Sequence, residues 1–144
     1  MRSSTSFSAL ALRLSSNNVA TLPVALDGMY RPSITGLRIT RAQRSPAQVN
    51  FEIDVSDFDS DLATSSSTAV AGNVYIDAGN NGEDYGPVTI DGTAMLNRAV
   101  GTLGGAFQLH VTGAIPSGFS VSFYIQVSDS AGNESNIVAI PIRF

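Results

Sequence analysis

Four aspartates close together form the part of this sequence best suited to chemistry. Within the segment DVSDFDSD they are Asp54, Asp57, Asp59 and Asp61. Ca²⁺ takes about six to eight oxygen ligands from carboxylates and carbonyls, so this spacing makes the segment a candidate Ca²⁺ site. The segment begins like an EF-hand loop, but Leu62 replaces the required glycine and Thr68 replaces the bidentate glutamate. The alternative interpretation is a solvated acidic loop without a metal ion.

A second acidic segment, residues 77–84 (DAGNNGED), offers further oxygen ligands, although Gly79 occupies the place of a ligand in an EF-hand register. Its alternative interpretation is an ordinary hairpin loop. Together with residues 57–61, the loop at residues 80–85 provides the ligand-holding surface of one possible function. That alternative function is a carbohydrate-binding or adhesion module, with or without the assistance of Ca²⁺.

The residues required for nucleophilic catalysis are missing from the sequence. There is no Cys, and the only His, His110, occupies an outward position in an alternating segment. No G-x-S-x-G turn is present, so nothing pairs a nucleophile with an oriented base. A sugar-cleaving cleft would ordinarily use exposed Trp, which is also absent. The sequence therefore predicts that the protein is not an enzyme.

The strands that position these residues are predicted from apolar side chains that recur at every second position. Residues 48–56 (QVNFEIDVS) and 119–128 (FSVSFYIQVS) alternate apolar and polar side chains, which predicts half-buried strands, the second of them central. Residues 106–112 and 136–144 show the same pattern, and Pro141 marks the latter as an edge or bulged strand. Shorter candidates are residues 34–41, 73–77 and 87–91. The turn clusters between the strands include residues 78–86 and 101–105.

About seven short strands separated by Gly, Asn, Ser and Pro loops predict an all-β fold, an antiparallel two-sheet sandwich. The segments PSITGLRIT, VNFEIDVSD and FSVSFYIQVSDSAGNESN resemble bacterial immunoglobulin-like and fibronectin type III-like domains. The hairpin at residues 129–133 (DSAGN) is the most distinctive part of this resemblance, which covers residues 33–144. The resemblance implies an immunoglobulin-like sandwich with a structural or adhesive role. It supplies no catalytic residues.

Residues 1–32 precede the part of the chain that carries this resemblance. They are predicted to be an N-terminal extension that forms a strand or hairpin. Its apolar residues are Phe7 and the alternating Leu10, Leu12 and Leu14. An isolated hairpin is marginally stable in water, so these side chains require a packing partner. The partner is either the chain's own sandwich or the open sheet edge of a neighbouring subunit.

Charge is distributed unevenly along the chain. The first 50 residues contain six Arg and one Asp, whereas the remainder contains two Arg and eleven acidic residues. The net charge of -4 argues against nucleic acid and anionic membranes as partners. The basic first third, including Arg38 and Arg41, is predicted to contact an acidic surface. That surface belongs either to the same chain or to a neighbouring copy.

These observations predict a non-enzymatic subunit of an extracellular filament, cell-surface or virion assembly. The N-terminal extension is expected to contact neighbouring subunits in a homo-oligomer or a larger assembly, and Tyr124 is a further candidate contact because exposed aromatic side chains can anchor partners. Ordinary packing on the sheet surface is the alternative role for Tyr124. No apolar run approaches the roughly 18 residues of a membrane span, and no clear cleavable signal peptide is present.

Overall fold

The computed structural model describes residues 31–144, and β-strands form most of this part of the chain. The strands are β1 (Ser33–Arg44), β2 (Ala47–Ser56), β3 (Ala69–Asp77), β4 (Glu83–Asp91), β5 (Val100–Gln108), β6 (Ser120–Ser128) and β7 (Val138–Arg143). Single-turn 3₁₀ helices lie at Gly79–Asn81 and Thr93–Met95. Neither helix in this part of the chain is long and apolar enough to cross a membrane.

The predicted contact residues of the N-terminal extension lie outside the described residues. They are Phe7, Leu10, Leu12 and Leu14. Of the extension, only Arg31 and Pro32 are described, immediately before β1.

The seven strands form two antiparallel sheets, which confirms the predicted fold class. One sheet has the order β1-β2-β5 and the other has the order β4-β3-β6-β7. Strand β6 is central and β7 is an edge strand, in agreement with the alternation of residues 119–128 and with Pro141. The edge strands are therefore β1, β5, β4 and β7, and each of them has one side without a strand neighbour in the described part of the chain.

The core lies between the two sheets and is built from alternate residues of their strands. In β2 every second residue is buried, and Val49, Phe51 and Ile53 are at most 1% exposed. The facing side chains of β6 are buried as well, and the ring centroids of Phe51 and Phe123 lie 5.5 Å apart. Contacts of this kind between the inner faces hold the sheets together by removing apolar surface from water.

The sequence prediction was wrong for residues 101–105, which belong to β5 and not to a turn. The Cβ of any other residue at Gly105 would lie 2.7 Å from Cζ of Phe51. Glycine is therefore needed there because the ring of Phe51 fills that space, and the segment pairs along its whole length with β2. Strand β5 also ends at Gln108, earlier than the predicted end at residue 112. Strand β4 likewise begins within the predicted loop at residues 78–86.

We expect Gly105→Ala to destabilise the fold by about 1 to 3 kcal/mol, because the added methyl group would press on the buried Phe51 ring and on Ile90, whose Cγ1 would be 3.2 Å away. Gly104→Ala is the matched control, since the closest atom to its Cβ would be the Phe51 carbonyl oxygen at 3.7 Å. Urea denaturation measures both changes. Equal stabilities for the two variants would contradict the proposed packing role of Gly105.

Candidate functional site

Three carboxylates meet at one end of the sandwich. One oxygen from each of Asp57, Asp61 and Asp129 lies within 4.8 Å of the other two. Asp57 follows the last residue of β2, and Asp129 follows the last residue of β6. Because β2 and β6 belong to different sheets, the group joins the two layers at the end where these strands stop. We call these three residues the carboxylate cluster.

A tight turn brings Asp57 and Asp61 together. The Ser60 amide donates to the Asp57 carbonyl oxygen at 3.0 Å, and the Asp61 amide donates to Oδ2 of Asp57, also at 3.0 Å. Ser60 has a φ of 56°, in the left-handed region that few non-glycine residues adopt. This reversal of the chain places the second aspartate beside the first.

The DSAGN hairpin positions Asp129. Its Oδ1 accepts hydrogen bonds from the amides of Ala131 and Asn133, at 3.0 and 2.8 Å, and its Oδ2 accepts one from Nδ2 of Asn133 at 3.1 Å. The Ser130 amide donates to the Asp61 carbonyl oxygen at 3.2 Å. The hairpin is therefore fixed internally by Asp129 and is attached to the acidic loop through Ser130.

Part of the carboxylate cluster lacks hydrogen-bond donors. Oδ1 of Asp57 and Oδ1 of Asp61 are buried and accept no hydrogen bond from the residues that the structure describes. Within residues 31–144 no Arg or His nitrogen forms an ion pair with any of the three carboxylates. Burial, the contact with the Asp57 side chain and the charge of Asp129 together raise the pKa of Asp61 to about 6. The cluster therefore favours binding of a positive species, a proton or a metal ion.

The structure separates the four aspartates proposed from sequence as metal ligands. Asp57 and Asp61 lie in the carboxylate cluster, whereas Asp59 is exposed and outside it. Asp54 is on the outer face of β2 and is bound by other side chains. Sequence reasoning missed Asp129, although one signal was available: like Asp57, it follows an alternating strand, and its hairpin motif had been recognised.

Asp54 forms a bidentate ion pair with Arg38 on the β1–β2 surface. Nη1 and Nη2 of Arg38 donate to its two carboxylate oxygens at 2.7 and 3.0 Å, and Oγ1 of Thr102 donates to Oδ1 at 2.8 Å. Nε of Arg38 also lies 3.4 Å from Oε1 of Glu52. Hydrogen bonds from Arg38 and Thr102 lower the pKa of Asp54 to about 2. Arg38, a predicted contact residue, is thus engaged within its own chain.

Arg41, the other predicted contact arginine, borders a groove between the edges of β1 and β7. The groove has a volume of about 300 Å³ and is lined by Ile39, Thr40, Arg41, Ala42, Pro141, Ile142 and Arg143. At the opposite end of β1 the same edges are held together by Asn136, which accepts from the Ile34 amide at 2.7 Å and donates to its carbonyl oxygen at 3.0 Å. The groove lies away from these bonds, beyond a register shift between Ile39 and Arg41.

Tyr124 is half-buried on the outer face of the four-stranded sheet, where it contacts Tyr75 with ring centroids 5.6 Å apart. The Tyr75 hydroxyl donates to Oε2 of Glu83 at 2.7 Å. Burial, with further contributions from Glu83, raises the pKa of Tyr75 above its ordinary value. Tyr124 therefore packs laterally against a neighbouring ring, the alternative role considered for it, while part of its surface stays accessible.

His110 is exposed, as predicted, but it lies beyond the end of β5 and its ring contacts a buried aspartate. Nδ1 of His110 lies 3.0 Å from Oδ1 of Asp84, and its backbone amide donates to Oδ2 of the same residue. Asp84 is fully buried. A carboxylate that orients a histidine is one part of a catalytic triad. Such chemistry also requires a nucleophile, which the Asp84–His110 pair does not itself supply.

Comparisons with known proteins assign no family to this chain. No family model matches the sequence, and no curated protein matches it.

We expect the carboxyl pKa of Asp54 to be about 2 in the folded protein and to rise toward the ordinary value of roughly 3.9 in Arg38→Ala, because the bidentate donor is lost. Since this pKa is depressed by folding, its contribution to stability is present above about pH 4 and is lost as the pH falls through about 2. NMR titration of the aspartate carboxyl carbons measures the change. Arg41→Ala is the control and should leave the Asp54 titration unchanged.

Proposed function

We propose that this chain is a non-enzymatic structural or interaction subunit of an extracellular filament, cell-surface or virion assembly. In this proposal it forms a homo-oligomer or a larger protein assembly through its N-terminal extension, residues 1–32. The observation that carries the proposal is the partly open β1–β7 side of the sandwich. Apolar side chains there are only half-buried, and two edge strands run beside each other.

The half-buried apolar residues are concentrated on this side. They include Leu37, Ile39 and Ala42 of β1, together with Val138 and Ile140 of β7 and the neighbouring Phe144. Beside them, the groove exposes the outer edge of β1, which pairs only with β2 among the described strands. An added strand gains main-chain hydrogen bonds at such an edge and can bury its own side chains on one face.

The N-terminal extension has the composition of such an added strand. Its leucines alternate, so that Leu10, Leu12 and Leu14 would all face one side of a strand. Burial of three leucines is worth roughly 5 to 9 kcal/mol before the cost of ordering the segment. A gain of this size is sufficient for a stable contact between subunits.

The strand order supports assignment of the sandwich to the immunoglobulin-like class. Strands β1, β2 and β5 correspond to A, B and E, and β3, β6 and β7 correspond to C, F and G. Strand β4 pairs with β3 and takes the C′ position, as in domains that extend the second sheet. Domains of this architecture commonly serve at cell surfaces, which agrees with the proposed setting, although fold alone does not assign function.

The alternative, a carbohydrate-binding or adhesion module, receives less support from the geometry. The loop at residues 57–61 precedes β3, and the loop at residues 80–85 follows it. The length of β3 therefore separates the two loops, by roughly 25 Å for nine extended residues. The two loops cannot jointly hold one small ligand, so a sugar would have to bind at one of them alone.

We expect the full chain to have a solution mass above 15.0 kDa, and both Leu12→Asp and Ala42→Arg to reduce it to the monomer mass. The first variant places a charge in the extension, and the second blocks the groove. Val100→Asp is the matched control because Val100 is an apolar residue that is 66% exposed on β5, an edge strand of the same sheet. Light scattering coupled to size exclusion measures the mass, and circular dichroism checks folding.

Deletion of residues 1–32 should likewise leave a folded monomer. A monomeric full chain, or a deleted protein that keeps the full oligomeric state, would contradict the proposal. If both the deletion and Leu12→Asp unfold the monomer, the extension belongs to the chain's own core, and the proposed contact between subunits is wrong.

A further inference from the structure

We infer that Asp57, Asp61 and Asp129 form a Ca²⁺ site that joins the two sheets at one end of the sandwich. This inference does not depend on the proposed assembly function. It rests on the spacing of three carboxylate oxygens and, independently, on a fully buried carboxylate oxygen that has no hydrogen-bond partner among residues 31–144.

The spacing suits one metal ion with three protein ligands. The three oxygens lie within 4.8 Å of one another. Two ligands of the same Ca²⁺ are separated by at most about twice the metal–oxygen distance of roughly 2.3 to 2.6 Å. An ion placed among the three can therefore contact each of them with little movement of the chain. Backbone carbonyls and water would complete its coordination.

The second observation concerns hydrogen bonding at Asp57. Asp57 is 0% exposed, and its Oδ2 accepts from the Asp61 amide, but its Oδ1 has no hydrogen-bond partner in the described part of the chain. Oδ1 of Asp61 is also buried and has no partner there. A buried charged oxygen without a donor is costly, so native proteins rarely leave one in this state. A cation bound among the three carboxylates would supply the positive charge that the described residues do not.

The ligand chemistry favours Ca²⁺ over other common metal ions. All three side chains offer hard carboxylate oxygens, and no His or Cys belongs to the cluster. Zn²⁺ prefers nitrogen and sulfur ligands, and Mg²⁺ requires a near-ideal octahedron at shorter distances. Two of the three residues lie in one loop and the third begins a hairpin, an irregular arrangement that the variable coordination of Ca²⁺ accommodates.

The competing occupant is a proton shared between two of the carboxylates. A proton placed between Asp57 and Asp61 would reduce the repulsion among the three closely spaced carboxylates, as a metal ion would. The two occupants differ in whether stability responds to Ca²⁺.

The test uses the full chain, freed of metal with EDTA and then dialysed at pH 7.5. We expect millimolar CaCl₂ to raise Tm by about 5 °C or more, since a ligand specific for the folded state stabilises it by mass action. MgCl₂ at the same concentration should raise it less. Isothermal titration calorimetry should detect one Ca²⁺ site per chain.

Single substitutions test whether the Ca²⁺-dependent rise in Tm comes from the carboxylate cluster or from acidic charge in general. Asp57→Asn and Asp61→Asn should fold in EDTA, because each relieves repulsion, and should lose the Ca²⁺ shift. Asp59→Asn is the matched control, since Asp59 is exposed in the same loop but outside the cluster, and it should keep the shift. Asp129 is less suitable for this test because it also holds the DSAGN hairpin.

Two results would overturn the inference. One is an unchanged Tm together with no calorimetric binding of Ca²⁺ by the unsubstituted chain, which would leave a shared proton as the occupant of the cluster. The other is a Ca²⁺ shift that persists in both Asp57→Asn and Asp61→Asn.

Discussion

Contact between the inner faces of the two sheets is the interaction on which the rest of this structure depends. Phe51 of β2 meets Phe123 of β6 near the centre, and alternate residues extend that contact along both strands. Because successive side chains of a strand point to opposite faces, each residue that faces the core lies next to residues that face outward. The Arg38–Asp54 pair and the Tyr75–Tyr124 contact therefore lie on outer faces, and the carboxylate cluster and the Asp84–His110 contact lie where strands end.

Local patterning was enough to predict the fold class, the central position of β6 and the edge position of β7. Local patterning did not predict the strand at residues 101–105, because glycine has a low strand propensity. Glycine is present at position 105 because the Phe51 ring occupies the space that a side chain would need, a contact that the local pattern does not show. The candidate sites were predicted less well. Asp57 and Asp61 are neighbours in sequence, but Asp129 joins them only because β2 and β6 end at the same end of the sandwich. The Asp84–His110 contact likewise spans 26 positions, beyond any local pattern.

Asp84 and the carboxylate cluster lie at opposite ends of the sandwich, and their buried oxygens differ in hydrogen bonding. Asp84 accepts hydrogen bonds from two backbone amides and contacts the His110 ring, so its carboxylate has partners within the fold. In the carboxylate cluster, Oδ1 of Asp57 and Oδ1 of Asp61 accept no hydrogen bond from the described residues. Hydrogen bonds therefore offset the cost of burying Asp84, whereas residues 31–144 offer no such compensation to these two oxygens of the cluster.

The paired bonds between Asn136 and Ile34 also determine how the domain would respond to mechanical force. They fasten the start of β1 at one end of the sandwich, while the last residue, Phe144, is bonded to Phe119 and Gly118 at the other end. A pull applied through residues 33 and 144 would thus run along the strands. Ladder hydrogen bonds loaded in that direction share the force and break together, whereas bonds pulled from one end open singly. A force applied between residues 33 and 144 would therefore load several ladder hydrogen bonds at once.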